Sequence, residues 1–349
     1  SAWIVNIDKN TSRKWYEMDE ADRYADPGYP LHRQLPNGYR VLREKDGAVY
    51  FRGSGGTDNG DRPFLDLRDI QSGETTRLFR CDTAQYQYFV AFAGGEKNFV
   101  LSSESSSDMP NYLLATIGEP IESPDGEASR SISYKAITNF KDPSPELRKI
   151  KKRIIRYERN DGVPLSFQLH LPPGYKEGEL LPTVLYAYPR EYSGAGTAGQ
   201  VRGSVKRFMR INGASHLYFL LRGYAVLERT SMPMIGNPET TYNTFVKQLV
   251  ADAEAAVAKA IDIGVADPNR IGVIGHSHGG LMVANLLAHT DLFKSGIARS
   301  GSYNKTNQPF GFQSERRSLF DAQDIYIQVS PTFFANKVNE PILIIHGDD

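Results

Sequence analysis

The chain has 349 residues, a length that accommodates two domains with a hydrophobic core each. Its 41 basic and 41 acidic side chains cancel, which argues against a nucleic acid or a membrane surface as a partner. Its one cysteine, Cys81, excludes an intramolecular disulfide framework and a cysteine-based zinc site, and we expect it to be a small core residue.

The first residues contain no targeting signal. Residues 1–8 lack a basic segment followed by an apolar one, so they are not a secretory signal peptide. They read instead as the middle of a strand, and we therefore expect the chain to begin inside a domain. No apolar run in the sequence approaches the ~20 residues that a membrane span needs.

Residues 1 to about 140 are predicted to be all-β. Three segments share the plan of apolar alternation, turn and apolar alternation, and they occupy residues 2–16, 63–79 and 112–134. Their starts lie roughly 60 and then 50 residues apart, close to the repeat of β-propeller blades. Further strands are expected at residues 48–51, 86–92 and 98–102, and residues 53–62 are expected to form a surface loop.

A β-propeller portion is the favoured interpretation of this half, and a β-sandwich is the alternative that the same alternation allows. About two and a half blades cannot close a ring. Either more blades precede residue 1, or this half is an open β-layer.

The pattern changes to α/β after the linker Asp142-Pro143-Ser144-Pro145. We predict a partial propeller-like domain over residues 1–140 and an α/β domain over residues 141–349. Two antiparallel lead-in strands are predicted at residues 153–157 and 166–171. Apolar runs suited to parallel strands that are buried on both faces occupy residues 183–188, 224–228, 271–275, 295–299 and 341–346.

A helix is predicted at residues 242–263, where apolar residues recur at helical spacing, and Gly264 ends it. Strands that alternate with helices predict a doubly wound, mostly parallel sheet. In such a sheet the active groups lie at the carboxyl ends of the strands.

The most informative motif is Gly275-His276-Ser277-His278-Gly279, which fits G-x-S-x-G. A predicted strand precedes it and a helix-compatible stretch, residues 281–289, follows it. This is the context of the nucleophile elbow of α/β-hydrolases, in which a sharp turn lifts the serine hydroxyl above the sheet. We predict Ser277 as the nucleophile, and an ordinary Gly-Ser turn is the alternative.

A serine nucleophile also needs donors where the oxyanion forms. In this fold one donor is the backbone N–H of the next residue, here His278, and the other comes from the turn after an earlier strand. Tyr188 ends a predicted strand and precedes Pro189, so its phenol is the candidate second donor. A core tyrosine is the alternative in a chain with 19 tyrosines.

The histidines after Ser277 do not supply an evident base. His278 lies in the elbow, His289 at the far end of the following helix, and His346 at the end of a strand, ahead of where the acid is expected. His276 and His278 have H-x-H spacing, but no carboxylate or third ligand accompanies them, so no metal site is predicted.

No cofactor is predicted either. Residues 194–199 carry the G-x-G-x-x-G spacing, but they lack the helix and the acidic residue that complete a dinucleotide-binding unit, so a flexible loop is predicted there.

Several short motifs occur in order around the elbow. They are Arg62-Pro63-Phe64-Leu65-Asp66, Pro110-Asn111-Tyr112, Leu171-Pro172-Pro173-Gly174-Tyr175, Ala187-Tyr188-Pro189, Gly199-Gln200-Val201-Arg202-Gly203 and Ala298-Arg299-Ser300-Gly301. With these motifs the chain resembles the prolyl oligopeptidase family of serine peptidases, and within it the glutamyl endopeptidase branch. The resemblance implies a β-propeller followed by an α/β-hydrolase domain, peptide substrates, Ser277 as nucleophile, and Tyr188 and the His278 N–H as oxyanion donors.

The family pattern also implies residues that this sequence does not contain. The catalytic Asp of the family is the third residue after the His-Gly that corresponds to His346-Gly347, where Asp348 and Asp349 end the sequence. The acid and the base are therefore expected beyond residue 349. We expect the chain to be an internal piece of a longer peptidase, truncated at both ends and inactive by itself.

The branch resemblance alone implies a preference for Glu before the scissile bond. Arg190, Arg202 and Arg299 are the candidates for binding that carboxylate, with structural or surface roles as the alternative. Two other functions remain open: a non-catalytic fragment or binding module on a hydrolase frame, and an esterase on the same fold.

Overall fold

The computed structural model describes residues 1–122 and 128–347. The chain divides into two compact units. The first consists of Ser1–Pro145 with Val201–Met209, and the second of Glu146–Gln200 with Arg210–Asp349. The segment Val201–Met209 therefore belongs to the all-β unit, although the sequence pattern places it in the α/β domain. Among the described residues, no helix is both long and apolar enough to cross a membrane.

The first unit is built from short strands. In chain order they are β1 (Ala2–Asn6), β2 (Thr11–Tyr16), β3 (Tyr29–Pro30), β4 (His32–Gln34), β5 (Arg40–Leu42), β6 (Glu44–Lys45), β7 (Ala48–Gly53), β8 (Phe64–Asp69), β9 (Thr75–Arg80), β10 (Tyr86–Phe92), β11 (Asn98–Glu104), β12 (Asn111–Glu122) and β13 (Ala128–Ala136). The predicted strands at residues 48–51, 86–92 and 98–102 are confirmed as β7, β10 and β11.

These strands form antiparallel sheets. β10 to β13 form a four-stranded meander in which each strand pairs with the next, the arrangement expected of a propeller blade. A second sheet has the order β3-β7-β8-β9 with β6 beside β7, and β1-β2 and β4-β5 are hairpins. The predicted segment 112–134 has its turn at residues 121–126, of which residues 123–126 lie outside the described part of the chain.

An aromatic core holds the first unit together. Tyr50, Phe79, Phe89 and Phe99 are buried in one cluster with Cys81, which is a core residue as expected. Their rings meet mostly edge to face or tilted, the geometry that the quadrupoles of aromatic rings favour.

The prediction of a surface loop at residues 53–62 is wrong for its glycines. Gly55, Gly56 and Gly60 are buried. A Cβ on Gly55 would lie 2.1 Å from the carbonyl oxygen of Arg62, and Gly55 has a φ of +58°. The loop is polar in sequence but folds against other backbone, which is possible because glycine carries no side chain.

The second unit contains the remaining strands and the helices. The strands are β14 (Lys151–Glu158), β15 (Pro164–Leu171), β16 (Leu181–Ala187), β17 (Arg190–Tyr192), β18 (Ala225–Thr230), β19 (Pro233–Ile235), β20 (Ala266–His276), β21 (Ser295–Arg299) and β22 (Ile342–Ile345). The α-helices are α1 (Ala195–Ala198), α2 (Phe245–Asp262), α3 (His278–His289) and α4 (Gln323–Gln328). Short 3₁₀ helices span Pro145–Lys149, His216–Arg222, Thr241–Thr244, Lys305–Asn307 and Pro331–Lys337.

A seven-stranded sheet with the order β14-β15-β18-β16-β20-β21-β22 organises this unit. β14 and β15 are antiparallel, and the strands from β18 to β22 in this order run parallel, as predicted. α2 buries the predicted apolar face, including Phe245, Leu249 and Ala253. Every residue of α3 before His289 is buried, so α3 is a central helix of the core.

The last strand differs from its prediction. β22 pairs with β21 as expected, but Leu343 and Ile344 are each 55% exposed instead of buried. An apolar run predicts burial only when neighbours cover both faces, and β22 lies at the edge of the described sheet.

A buried ion pair ties the first hairpin of the sheet to α2. Arg159 follows β14 and donates from Nη1 to Asp252 Oδ1 on α2 at 2.8 Å. The Asp252 side chain is fully buried and that of Arg159 is 5% exposed. Arg159 also donates to both carboxylate oxygens of Asp161.

Removing one partner of this pair should lower the free energy of unfolding far more than removing both. We expect Arg159→Met to lower the free energy of unfolding by about 3–5 kcal/mol, because it leaves the Asp252 carboxylate buried without a counter-charge. The double variant Arg159→Met/Asp252→Leu should recover most of that loss. Urea unfolding measures both.

The matched control is Arg153→Met on β14, whose partner Glu177 is exposed. It should change the free energy of unfolding by about 1 kcal/mol or less. Equal losses for the Arg153 and Arg159 variants would contradict the role assigned to the buried pair.

Candidate active site

Ser277 lies at the tight turn between β20 and α3, in a backbone conformation that non-glycine residues avoid. Its φ is 58° and its ψ is −119°. Hydrogen bonds hold it there. The Ser277 N–H donates to the carbonyl oxygen of Arg299 at 2.8 Å, and its own carbonyl oxygen accepts from the Gly280 N–H at 2.8 Å. The turn therefore has the strained geometry of a nucleophile elbow.

The glycines of the motif are required by close backbone contacts. A Cβ on Gly275 would lie 2.0 Å from the carbonyl oxygen of Gly279, and one on Gly279 would lie 2.7 Å from that of Ala187. Both distances are shorter than any real Cβ contact. The two glycines let α3 start directly over β20 and against the end of β16.

The first residue of α3 presents a free backbone donor. α3 begins at His278, so the His278 N–H belongs to the first turn of a helix, whose N–H groups lack intrahelical acceptors. The helix dipole adds a partial positive charge at this end. This arrangement suits an anion that forms beside Ser277.

Tyr188 lies next to the elbow. It follows the last residue of β16, a neighbour of β20 in the sheet, and it is 40% exposed. The centres of the Tyr188 and His278 rings are 5.9 Å apart. The structure therefore brings Ser277, His278 and Tyr188 together at the carboxyl ends of two adjacent parallel strands.

The His278 side chain is buried and neutral. Burial, with a smaller contribution from the Lys305 charge, lowers the pKa of His278 to about 3. Its Nε2 lies 3.5 Å from the oxygen of the Tyr242 hydroxyl. That hydroxyl donates a hydrogen bond to Glu191 Oε1 at 2.6 Å. The Tyr242 oxygen can then only accept a hydrogen bond, so Nε2 of His278 carries the proton of the neutral ring. The other ring nitrogen, Nδ1, is therefore a buried acceptor, and it has no partner among the described atoms.

A buried lysine lies near this network. Lys305 is 4% exposed, and its Nζ lies 5.2 Å from the centre of the Phe312 ring. Its hydrogen-bond acceptor is Gln308 Oε1 at 3.3 Å, and among the described residues no carboxylate lies within 4 Å of Nζ. Burial lowers the pKa of Lys305 because a charged ammonium is poorly solvated there.

Sequence reasoning missed Glu191, Tyr242 and Lys305. Lys305 is flanked by Asn304 and Thr306, a polar sequence that is typical of an exposed loop. Nothing in its local pattern distinguishes it from a surface lysine.

The three candidate arginines lie on different elements of the chain. Arg190 is exposed on β17, with its guanidinium 5.8 Å from the centre of the Tyr188 ring. Arg299 ends β21, where its carbonyl oxygen holds the Ser277 N–H and its side chain donates to the Ala214 carbonyl at 2.9 Å. Arg202 lies in Val201–Met209, which belongs to the first unit.

Among the described residues, no histidine is hydrogen-bonded to the Ser277 hydroxyl and no cluster of metal ligands occurs. No described histidine hydrogen-bonds to the Ser277 hydroxyl: His276 is exposed, and His346 makes its contact with the Gly347 carbonyl oxygen. Within the described part of the chain, no group of three or more His, Cys, Asp or Glu residues could hold a metal ion. Asp348 and Asp349 lie outside the described residues.

Comparison with known proteins shows which proteins this chain is similar to. Residues 239–349 match the model of the prolyl oligopeptidase family. The probable chloroplastic glutamyl endopeptidase of Arabidopsis thaliana is 40% identical over 370 residues, which cover 99% of this chain and 37% of that protein. Its counterpart in Oryza sativa subsp. japonica is 38% identical over 99% of this chain and 38% of that protein. The chain thus spans little more than a third of the length of these relatives.

A solved structure shares the fold. An acylaminoacyl peptidase in complex with Z-Gly-Gly-Phe-chloromethyl ketone superposes with a TM-score of 0.57 at 18% identity, over 87% of this chain and 45% of that one. The predicted fold class, a β-propeller portion followed by an α/β-hydrolase domain, is confirmed, and so is the resemblance in sequence.

The elbow should not tolerate a side chain at Gly275. We expect Gly275→Ala to lower the free energy of unfolding by about 1–3 kcal/mol, because the added methyl group overlaps the Gly279 carbonyl. Gly196→Ala is the control, since its added methyl group has no neighbour within 4 Å, and it should stay within about 0.5 kcal/mol of the wild type. Urea denaturation that shows both variants equally stable would refute this account of the elbow.

Proposed function

Because residues 239–349 belong to the prolyl oligopeptidase family, we propose that this chain supplies the nucleophile and the oxyanion hole of a serine peptidase. The observation that carries the proposal is the strained turn at Ser277 beside the start of α3 and Tyr188. A serine held in this conformation at the carboxyl end of a central strand has its hydroxyl directed away from the sheet.

The chemistry is acyl transfer. Ser277 Oγ attacks the carbonyl carbon of a peptide bond and loses its proton to a base. The His278 N–H and the Tyr188 hydroxyl donate to the oxyanion that forms. The proton then passes to the leaving amine as the C–N bond breaks, and water hydrolyses the acyl-enzyme.

The base and its acid partner are proposed to lie outside the described residues, in the longer protein. Without them, a serine site retains only what the oxyanion hole and substrate binding supply. The chain as given is therefore proposed to be inactive by itself. The unit boundary between Pro145 and Glu146 supports a division into an all-β domain and a peptidase domain near residue 140.

We further propose that the site prefers an acidic residue before the scissile bond and that Lys305 binds its carboxylate. A buried ammonium without a carboxylate partner is costly, and a substrate carboxylate would offset that cost. Lys305 contacts Phe312, which packs on Tyr242, and Tyr242 contacts the His278 ring beside the nucleophile. The plant relatives are named as probable glutamyl endopeptidases, which points to the same substrate class.

The nucleophile and the oxyanion donor can be tested in the full-length gene product. Ser277→Ala should abolish both peptide cleavage and labelling by a fluorophosphonate. Tyr188→Phe should lower kcat by about 10²–10³ with little change in KM, because the phenol acts only on the developing charge.

Ser295→Ala and Tyr218→Phe, both at exposed positions of the same unit, are the matched controls and should behave as wild type. Cleavage and labelling of Ser277→Ala at wild-type levels would eliminate the proposal. Peptide and ester substrates with the same acyl group are compared in parallel, since cleavage of the ester alone would identify an esterase.

Lys305 can be tested through specificity. Lys305→Met should reduce the preference for Glu over Gln in kcat/KM by about tenfold or more, because the substrate carboxylate loses its buried counter-charge. Lys337→Met is the control: the Lys337 ammonium also lies 5.2 Å from an aromatic ring, that of Phe334, but Lys337 is exposed. An unchanged Glu preference in an active Lys305→Met enzyme would reject the role of Lys305 and leave the peptidase proposal intact.

A further inference from the structure

The first unit contains a basic pocket that the proposed peptidase chemistry does not use. Its cavity has a volume of about 320 Å³ and is lined by four basic residues, His32, Arg40, Arg43 and Arg52, together with residues 89–92 of β10. The lining contains no acidic residue. In a chain whose charges balance overall, this is a local concentration of positive charge.

Regular backbone pairing builds the pocket. His32 of β4 is opposite Leu42 of β5, and Arg52 of β7 is opposite Tyr29 of β3. The Arg43 N–H donates to the Leu31 carbonyl oxygen at 2.7 Å. His32, Arg40 and Arg52 are therefore fixed on paired strands, and Arg43 is held between β5 and β6 by its backbone hydrogen bond.

Two of the guanidinium groups are held in place by β10. Arg43 stacks over Phe92, with its guanidinium carbon 4.2 Å from the ring centre. Arg52 donates from Nη1 to the Phe89 carbonyl oxygen at 3.2 Å. A cation held on an aromatic face and one held by a backbone carbonyl keep most of their N–H donors available.

These arginines lack counter-charges. Within residues 1–122 and 128–347, no carboxylate lies within 4 Å of the guanidinium groups of Arg40, Arg43 or Arg52. The Nε of Arg43 is buried and has no acceptor. The acidic Glu96 is engaged by Lys45 at 3.2 Å. Arg40 and Arg52 are exposed, and three like charges around one cavity attract an anion, as does the unsatisfied buried donor of Arg43.

We propose that this pocket binds a small phosphate-bearing anion. The planar fork of arginine matches phosphate oxygens in pairs, and three forks around one cavity suit a multiply charged oxyanion. The volume lies at the lower end of the range for small-molecule sites, which suits an anion with one or two phosphate groups. The site is independent of Ser277 and of the peptidase proposal.

The test uses the full-length gene product and inorganic pyrophosphate as the probe. Calorimetric titration should show saturable binding of about one equivalent that weakens as sodium chloride is raised. Arg52→Met should weaken it by about tenfold or more, and Arg43→Met likewise. Arg52 is exposed, so its replacement leaves the fold intact. Arg52→Met therefore still tests the site if Arg43→Met fails to fold because it loses the contact with Phe92.

Arg33→Met is the matched control, because Arg33 lies on β4 beside His32 but does not line the cavity. It removes the same charge and should bind pyrophosphate as the wild type does. Equal weakening in Arg33→Met and Arg52→Met would show a nonspecific charge effect and overturn the site, as would no saturable binding to the wild type. Citrate is titrated in parallel, and tighter binding of citrate than of pyrophosphate would overturn the assignment to phosphate.

Discussion

The backbone strain at Ser277 is the constraint on which the candidate site depends. A non-glycine residue in this region of φ and ψ costs about 1–3 kcal/mol and persists only where its surroundings enforce it. Here the Arg299 carbonyl on β21 and the first turn of α3 hold Ser277 from both sides. The strained turn thus links β20, β21 and α3, and the His278 N–H and Tyr188 are positioned relative to it.

Electrostatics at the site follow from how deeply its groups are buried. Burial keeps the His278 imidazole neutral. Tyr242 fixes its tautomer, because the Tyr242 hydroxyl donates its hydrogen bond to Glu191 and can therefore only accept one from His278. On this side of Ser277 the neutral His278 ring packs against Tyr242 and Phe245, and the charge of the buried Lys305 also lowers the His278 pKa. A buried environment of this kind has a low dielectric constant, which strengthens the attraction between opposite charges within it.

Local patterning accounts for the parts of the fold that were predicted correctly. The hairpins of the first unit, the parallel strands and α2 follow from alternation, helical spacing and turn residues over short windows. The misses have long-range causes. Gly56 lies against the distant backbone of Arg23, and β22 is exposed because it lies at an edge. Val201–Met209 belongs to the first unit, whereas the residues on either side of it belong to the second.

The sequence by itself determined the elbow, since the glycines around Ser277 and the order of strand, turn and helix are contained in about a dozen consecutive residues. It also made Tyr188 a candidate donor through its place at a strand end. Only the tertiary structure decided that Lys305 is buried and that Glu191 accepts the hydrogen bond of Tyr242 next to the His278 ring. Neither residue carries a local sign of this placement, because burial depends on packing between segments that are far apart in the chain.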